Sequence, residues 1–133
     1  MQPAVDASSG SSAISEAWFA RLLEVPYIAV LPASTAPAKI AELKALGARC
    51  ELEDDPSQIY GRAAAIAAET GGCYLDQFTY AERATDWRGN NNIAECILDR
   101  LAALGAGNPS WFVAGAGTGG TLATVGRYLR YRG

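Results

Sequence analysis

Apolar residues recur along this chain in two alternating rhythms. Ser11-Ser12-Ala13-Ile14-Ser15-Glu16 opens a helix with capping-type residues, and Ile14, Trp18, Phe19, Leu22 and Leu23 then follow a period near 3.6 until Pro26. Tyr27-Ile28-Ala29-Val30-Leu31 is a short apolar run between Pro26 and Pro32, the pattern of a strand buried on both faces. Ser34-Thr35-Ala36-Pro37 begins a second helix with Ile40, Leu43 and Leu46 on one face and Gly47 as its stop. Arg49 to Leu52 reads as a short strand, Gln58 to Glu69 as an alanine-rich helix closed by Gly71-Gly72, and Cys73-Tyr74-Leu75 as another short strand. The stretch from Asp76 to Asn92 is polar and irregular, a helix returns over Ile93 to Leu104, Trp111 to Ala114 reads as a strand, and a last helix runs from about Thr121 to Tyr131. The first strand is expected at or just before Val5.

Repeated strand–helix units with short connections predict an α/β fold, a parallel sheet flanked by helices in three αβα layers. The chain has 133 residues, about one domain's worth on the usual ~100–200 residues per domain, yet both of its edges look cut in mid-element. Its net charge of −3 lacks the basic footprint of a nucleic-acid binder. No apolar run approaches the ~20 residues a membrane-spanning helix needs, and the start Met1-Gln2-Pro3-Ala4 carries no signal-peptide pattern. A soluble, cytoplasmic protein is expected. The absence of histidine excludes imidazole bases and histidine metal sites. Cys50, Cys73 and Cys96 are widely spaced, so no metal site and no disulfide framework is predicted, only reduced and mostly buried thiols.

Two loops carry the candidate chemistry. Gly115-Ala116-Gly117-Thr118-Gly119-Gly120-Thr121 follows a predicted strand and precedes a predicted helix. Its backbone N–H groups and the helix N-terminus form a cradle suited to a phosphate. Gly115, Gly117 and Gly120 also satisfy the spacing of a dinucleotide loop, but no Asp or Glu follows Gly120 to hold a ribose, and no Gly-Lys-Ser/Thr allows P-loop chemistry. Ser8-Ser9-Gly10-Ser11-Ser12, ahead of the first helix, offers hydroxyls and N–H groups that suit a carboxylate. A phosphate loop and a carboxylate loop at the ends of parallel strands describe a site where a phosphorylated cofactor handles an amino acid.

These residues resemble the fold-type II pyridoxal-phosphate enzymes of the cysteine synthase family, in the branch of cysteine synthases and L-cysteine desulfhydrases with a serine-rich substrate loop. The resemblance runs from Asp6 to about Arg130 and rests on the serine loop, Leu31-Pro32, Lys39-Ile40, Lys44-Ala45-Leu46-Gly47-Ala48, Gln77-Phe78 and Gly117 to Thr121. It implies a tryptophan synthase β-like fold and pyridoxal 5′-phosphate as cofactor. It further implies β-replacement or β-elimination on a β-substituted L-amino acid, with sulfide as the second small molecule. By position it assigns Ser8, Ser9, Gly10, Ser11, Ser12 and Gln77 to the substrate, and Ser11, Gly117, Thr118, Gly119, Gly120 and Thr121 to the cofactor.

Ser11 stands where the family usually has an asparagine, Ala13 replaces a glycine, and Trp87-Arg88-Gly89-Asn90-Asn91-Asn92 points to the desulfhydrase-like branch. The family's Schiff-base lysine lies upstream of the serine loop. The chain's two lysines, Lys39 and Lys44, fall on the polar side of a helix instead, so no catalytic residue is assigned. The expectation is a fragment of a larger enzyme, inactive alone, whose parent is a homodimer. Residues 1–108 would form part of the substrate-side domain, and residues 109–133 a strand, glycine loop and helix of the cofactor domain. The alternatives are a serine/threonine dehydratase of the same fold type, a nucleotide-binding module, and a non-catalytic α/β module that lost the lysine.

Overall fold

A computed structural model describes residues 1–8, 10–80 and 93–133. They form two compact units, Met1–Gln77 and Phe78–Gly133. Ser9, and the Trp87 to Asn92 stretch read above as branch-specific, lie outside the described residues.

In the first unit β1 (Ala4–Ala7), α1 (Ser11–Leu22), β2 (Tyr27–Pro32), α2 (Pro37–Ala45), β3 (Arg49–Glu53), a short 3₁₀ turn (Pro56–Gln58), α3 (Ile59–Thr70) and β4 (Cys73–Tyr74) follow in order. The four strands are parallel in the order β3-β2-β1-β4, with Asp6 beside Ala29 and Val5 beside Tyr74. Side chains alternate across the sheet. Val5, Ala7, Ile28 and Val30 meet Ile59, Ala63, Ile66 and Ala67 of α3 on one face. Tyr27, Ala29 and Leu31 meet Ala13, Ala17 and Ala20 of α1 and Leu43 of α2 on the other. The predicted three layers are therefore present, and Asp6 falls on the α1 side of the sheet.

The apolar stripe read on α1 does not face the sheet. Trp18, Phe19, Leu22 and Leu23 are 50–69% exposed, and Trp18 stacks edge-on against Phe19 with ring centroids 5.0 Å apart. Three alanines make the buried face instead, because small side chains let the helix lie close to a sheet already filled by Tyr27 and Leu31. Helix stops fall where glycine allows them. Gly47, just beyond α2, has φ +91°, and Gly71, the cap of α3, has φ +63°.

The second unit holds most of α4 (Gln77–Tyr80), with α5 (Ile93–Ala103) and α6 (Gly120–Arg132). Ala94, Val125 and Tyr128 form its core with Leu98, Phe112 and Leu129. The expected strand over Trp111–Ala114 is absent: no strand among the described residues pairs with it, and Trp111 and Val113 stand 87% and 89% exposed. A strand exists only through a neighbour that takes its N–H and C=O groups. The division between the compact units falls at 77/78, because α5 and α6 pack on one another. The cysteines are free, but Cys73 and Cys96 are exposed and only Cys50 is partly buried, against the expectation of buried thiols. Among the described residues there is no cluster able to hold a metal ion and no helix long and apolar enough to cross a membrane.

Candidate functional site

β1 ends at Ala7 and hands the chain to the serine-rich loop. Ser8 is buried; its N–H donates to Val30 O at 3.3 Å, which carries the sheet pattern one residue further. Its hydroxyl Oγ accepts the Gly10 N–H at 3.3 Å. α1 starts at Ser11 with Gly10 as its cap, and among the described residues no side chain caps it. Nor does the first turn contain an acid. Among the described residues the capping role expected of the serines is thus unfilled, and the first-turn N–H groups, which have no partner within a helix, have the Ser11 and Ser12 side chains beside them. Such an end attracts an anion.

Gln77, at the start of α4, turns toward this strand end. Its side-chain amide donates to Asp6 Oδ2 at 3.1 Å and to Ala7 O at 3.4 Å. Asp76, just before it, has φ +48°, a left-handed turn that aspartate tolerates better than most residues. So Gln77 is engaged with β1 through its nitrogen, and any contact it makes to a substrate must come through its other amide atom. Sequence reasoning missed Asp6, Glu16 and Tyr27. Asp6 is 1% exposed. Tyr27 donates its hydroxyl to Glu16 Oε2 at 2.6 Å, and the Glu16 carboxyl feels the neighbouring Asp6 carboxyl. Burial pushes the Asp6 carboxyl above its ordinary range and, with the neighbouring Asp6 charge, pushes Glu16 up to about 7. The signal available was an acid at a strand position that should be buried, two residues ahead of the loop.

In the second unit the glycine loop leads into α6. Gly119 caps the helix at φ +78° and has no side chain to contribute, and the first turn holds no acid. Thr118 Oγ1 accepts the Gly120 N–H at 3.3 Å. A Cβ built on Gly115 or Gly117 meets nothing within 4 Å, so packing in this chain does not require glycine there. Gly117, Thr118 and Thr121 are exposed, and Gly119 and Gly120 partly so. Open glycine backbone, two threonine hydroxyls and a helix N-terminus fit a phosphate group. The same cannot be said of an imine: Lys39 and Lys44 lie on α2, and Lys44 acts on Cys50 of β3, at the sheet edge two strands from β1.

A family model described as pyridoxal-phosphate dependent enzyme matches residues 2–133. The chain is 59% identical over 128 residues to the L-cysteine desulfhydrase Cds1 of Mycobacterium tuberculosis, covering 96% of this chain and 35% of the relative. It is 28% identical over 129 residues to a cysteine synthase of Aquifex aeolicus, covering 95% of this chain and 38% of the relative. Among solved structures, a hydrogen sulfide-producing enzyme of Fusobacterium nucleatum, as its D232N mutant, superposes with a TM-score of 0.83 at 25% identity, over 98% of this chain and 40% of that one. Diaminopropionate ammonia lyase of Escherichia coli shares the fold, with a TM-score of 0.80 at 18% identity over 96% of this chain and 37% of that one. The chain thus spans well under half the length of these relatives.

Proposed function

Because the chain belongs to the pyridoxal-phosphate-dependent enzyme family, we propose that it is the anion-gripping part of a longer L-cysteine desulfhydrase, with cysteine synthesis, in which sulfide replaces the departing β-substituent of another L-amino acid, as the second use of the same site. The reaction is β-elimination: cysteine and water give sulfide, pyruvate and ammonia. The observation that carries the reading is the start of α1 directly after β1, which no described side chain caps, with Ser8, Ser11 and Ser12 around it, in a chain 59% identical to a desulfhydrase.

Pyridoxal phosphate, when bound, supplies an electron sink that stabilises negative charge at the amino acid's α-carbon. The chain's own residues bind and orient. Ser8, Ser9, Gly10, Ser11 and Ser12 present hydroxyls and N–H groups to the amino acid's carboxylate, and Gln77 fixes the end of the strand from which that loop departs. Gly117, Thr118, Gly119, Gly120 and Thr121 hold the cofactor's phosphate at the start of α6, and Ser11 reaches the cofactor where the family uses asparagine. Residues 1–108 serve the substrate side and residues 109–133 the cofactor side. The imine lysine comes from elsewhere in the longer protein. The exposed apolar side chains on α1 and around Trp111 support a larger body and a homodimeric parent. Three free thiols suit the reducing cytoplasm.

The test is a titration of the isotopically labelled 133-residue chain with inorganic phosphate and with pyridoxal 5′-phosphate, followed through amide resonances. Both ligands are expected to shift Gly117 to Thr121, and pyridoxal phosphate to leave no borohydride-trapped adduct on Lys39 or Lys44 in preference to the chain's N-terminus. Resonances of the glycine loop that stay put with both ligands would refute the reading.

A further inference from the structure

Three groups in the first unit have no part in the binding just described: Asp6 on β1, Glu16 on α1 and Tyr27 on β2. Asp6, 1% exposed on the α1 side of the sheet, and Glu16 of α1 are close enough for their carboxyls to interact. An ionised carboxylate only accepts, so two of them can share a hydrogen bond only if one carries a proton. The donors around each decide which. Gln77 Nε2 donates to Asp6 Oδ2 at 3.1 Å, and the backbone amides of Ala7, Asp76 and Gln77 favour the Asp6 charge. Asp6 Oδ1 is buried and takes no N–H or hydroxyl donor, which leaves it to an acid. Glu16 receives a single donor among the described residues, the Tyr27 hydroxyl at 2.6 Å on Oε2.

We propose that Glu16 is a positioning residue: it keeps a proton that it donates to Asp6, and the acid–carboxylate pair so formed clamps the Asp76–Gln77 junction to the foot of the serine-rich loop. The inference rests on the reading of that loop as the carboxylate site. It also gives the arrangement a reason. One negative charge lies beneath an anion site where two unshared carboxylates would place two, and the second would repel the incoming carboxylate.

The groups that act on the pair come from every neighbouring element. Tyr74 of β4 feels the Asp6 charge, Asp76 of the junction lends Asp6 its backbone amide, and Cys50 of β3 acts on Tyr27. Among the described residues no cation acts on either carboxyl. Burial raises both groups, and Glu16 reaches about 7.

The whole chain, labelled and without cofactor, tests this. The Glu16 side-chain carboxyl is expected to titrate with a midpoint near 7, and a midpoint near 4.5 overturns the proposal. Amide protection of Asp76 and Gln77, corrected for intrinsic exchange, is expected to fall on the order of 100-fold between about pH 5 and 8, nearly all of it below about pH 7. In Glu16→Gln the side-chain NH₂ donates to Asp6 at every pH while its oxygen still accepts from Tyr27, so the same amides should vary by less than ~3-fold. A wild-type protection that does not fall, or a variant that falls as the wild type does, overturns the proposal. Should the variant fail to fold, the wild-type carboxyl titration decides alone. Because no ligand is present, a failure here is separable from an unresponsive glycine loop.

Discussion

Gln77 reaches back 71 residues to place its side-chain amide 3.1 Å from Asp6 Oδ2. The same nitrogen lies 3.4 Å from Ala7 O, the last carbonyl of β1. One side chain therefore ties the chain beyond β4 to the strand end from which the serine-rich loop departs. It does so by donating to a carboxylate that is almost wholly buried.

A hydrogen bond to a buried charge contributes about 1.5–3 kcal/mol. Gln77→Ala should lower the unfolding free energy by about 2 kcal/mol. Gln77→Glu should lower it further at pH 7 and above, since it turns a donor into a third acidic group against Asp6. At lower pH, with the new carboxyl protonated, the two variants should converge. Urea titrations followed by circular dichroism would show this, and equal losses for both variants at neutral pH would contradict the contact.

Tyr27 sets the reach of the pH dependence. Its hydroxyl holds the Glu16 carboxylate down, while burial and Asp6 hold it up, with a balance near 7 against an ordinary 4.5. A carboxyl raised on folding keeps its proton more tightly in the folded chain, so its contribution is fully present below the ordinary value and is lost as pH climbs through the folded one. The Glu16 contribution should fall by up to about 3 kcal/mol over that interval. Tyr27→Phe removes the opposing hydroxyl, so its loss should continue to higher pH. The comparison is the urea midpoint of wild type, Tyr27→Phe and Glu16→Gln across pH 4.5–8.5, about the range the shift spans. A Tyr27→Phe curve that levels off earlier than the wild type would reverse the sign argued here.

How far these features can be read in advance depends on the element. The run Tyr27 to Leu31 between two prolines announced a central strand, because only a strand covered on both faces uses five apolar residues in a row. The stops at Gly47 and Gly71 were equally legible, since both positions take a left-handed turn. α1 misled because periodicity reports where apolar residues are, not which face a crowded sheet accepts; alanines won that face. Trp111–Ala114 has strand chemistry but no strand beside it among the described residues. At the site, the two loops stood out through their glycine and serine content. The Asp6–Glu16–Tyr27 cluster did not, because its members are brought together only by the pairing of β1 with β2 and the packing of α1 on them.

Gly72 and Gly61 should respond oppositely to alanine. A Cβ on Gly72 would sit 2.5 Å from Pro3 O, the backbone carbonyl that also accepts the Cys73 N–H. Relieving that clash means moving β4 off β1, and Gly72→Ala should destabilise by about 1–3 kcal/mol. Gly61 lies within α3 with nothing within 4 Å of a built Cβ. Gly61→Ala should stabilise by about 0.5–1 kcal/mol through helix propensity alone. Thermal melts of the pair would check the signs; a neutral Gly72→Ala would mean that the β1–β4 approach is looser than this geometry has it.

The glycine loop separates folding from binding most sharply. Gly119 holds φ +78° at the start of α6, where an L side chain is strained by about 1–2 kcal/mol. Gly119→Ala should therefore lower stability as well as anion affinity. Gly115 and Gly117 have neither a left-handed backbone nor any atom within 4 Å of a built Cβ. Alanine at either should change stability by less than about 0.5 kcal/mol. If their open backbone is the phosphate cradle, the added methyl occupies the space the ligand needs, and phosphate affinity should fall on the order of tenfold or more. Melting curves and phosphate titrations on the three variants give the pattern: stability and affinity lost together at Gly119, affinity lost alone at Gly115 and Gly117. Unchanged phosphate affinity in Gly117→Ala would remove the loop from the site, since no feature of this chain's own packing then explains its glycines.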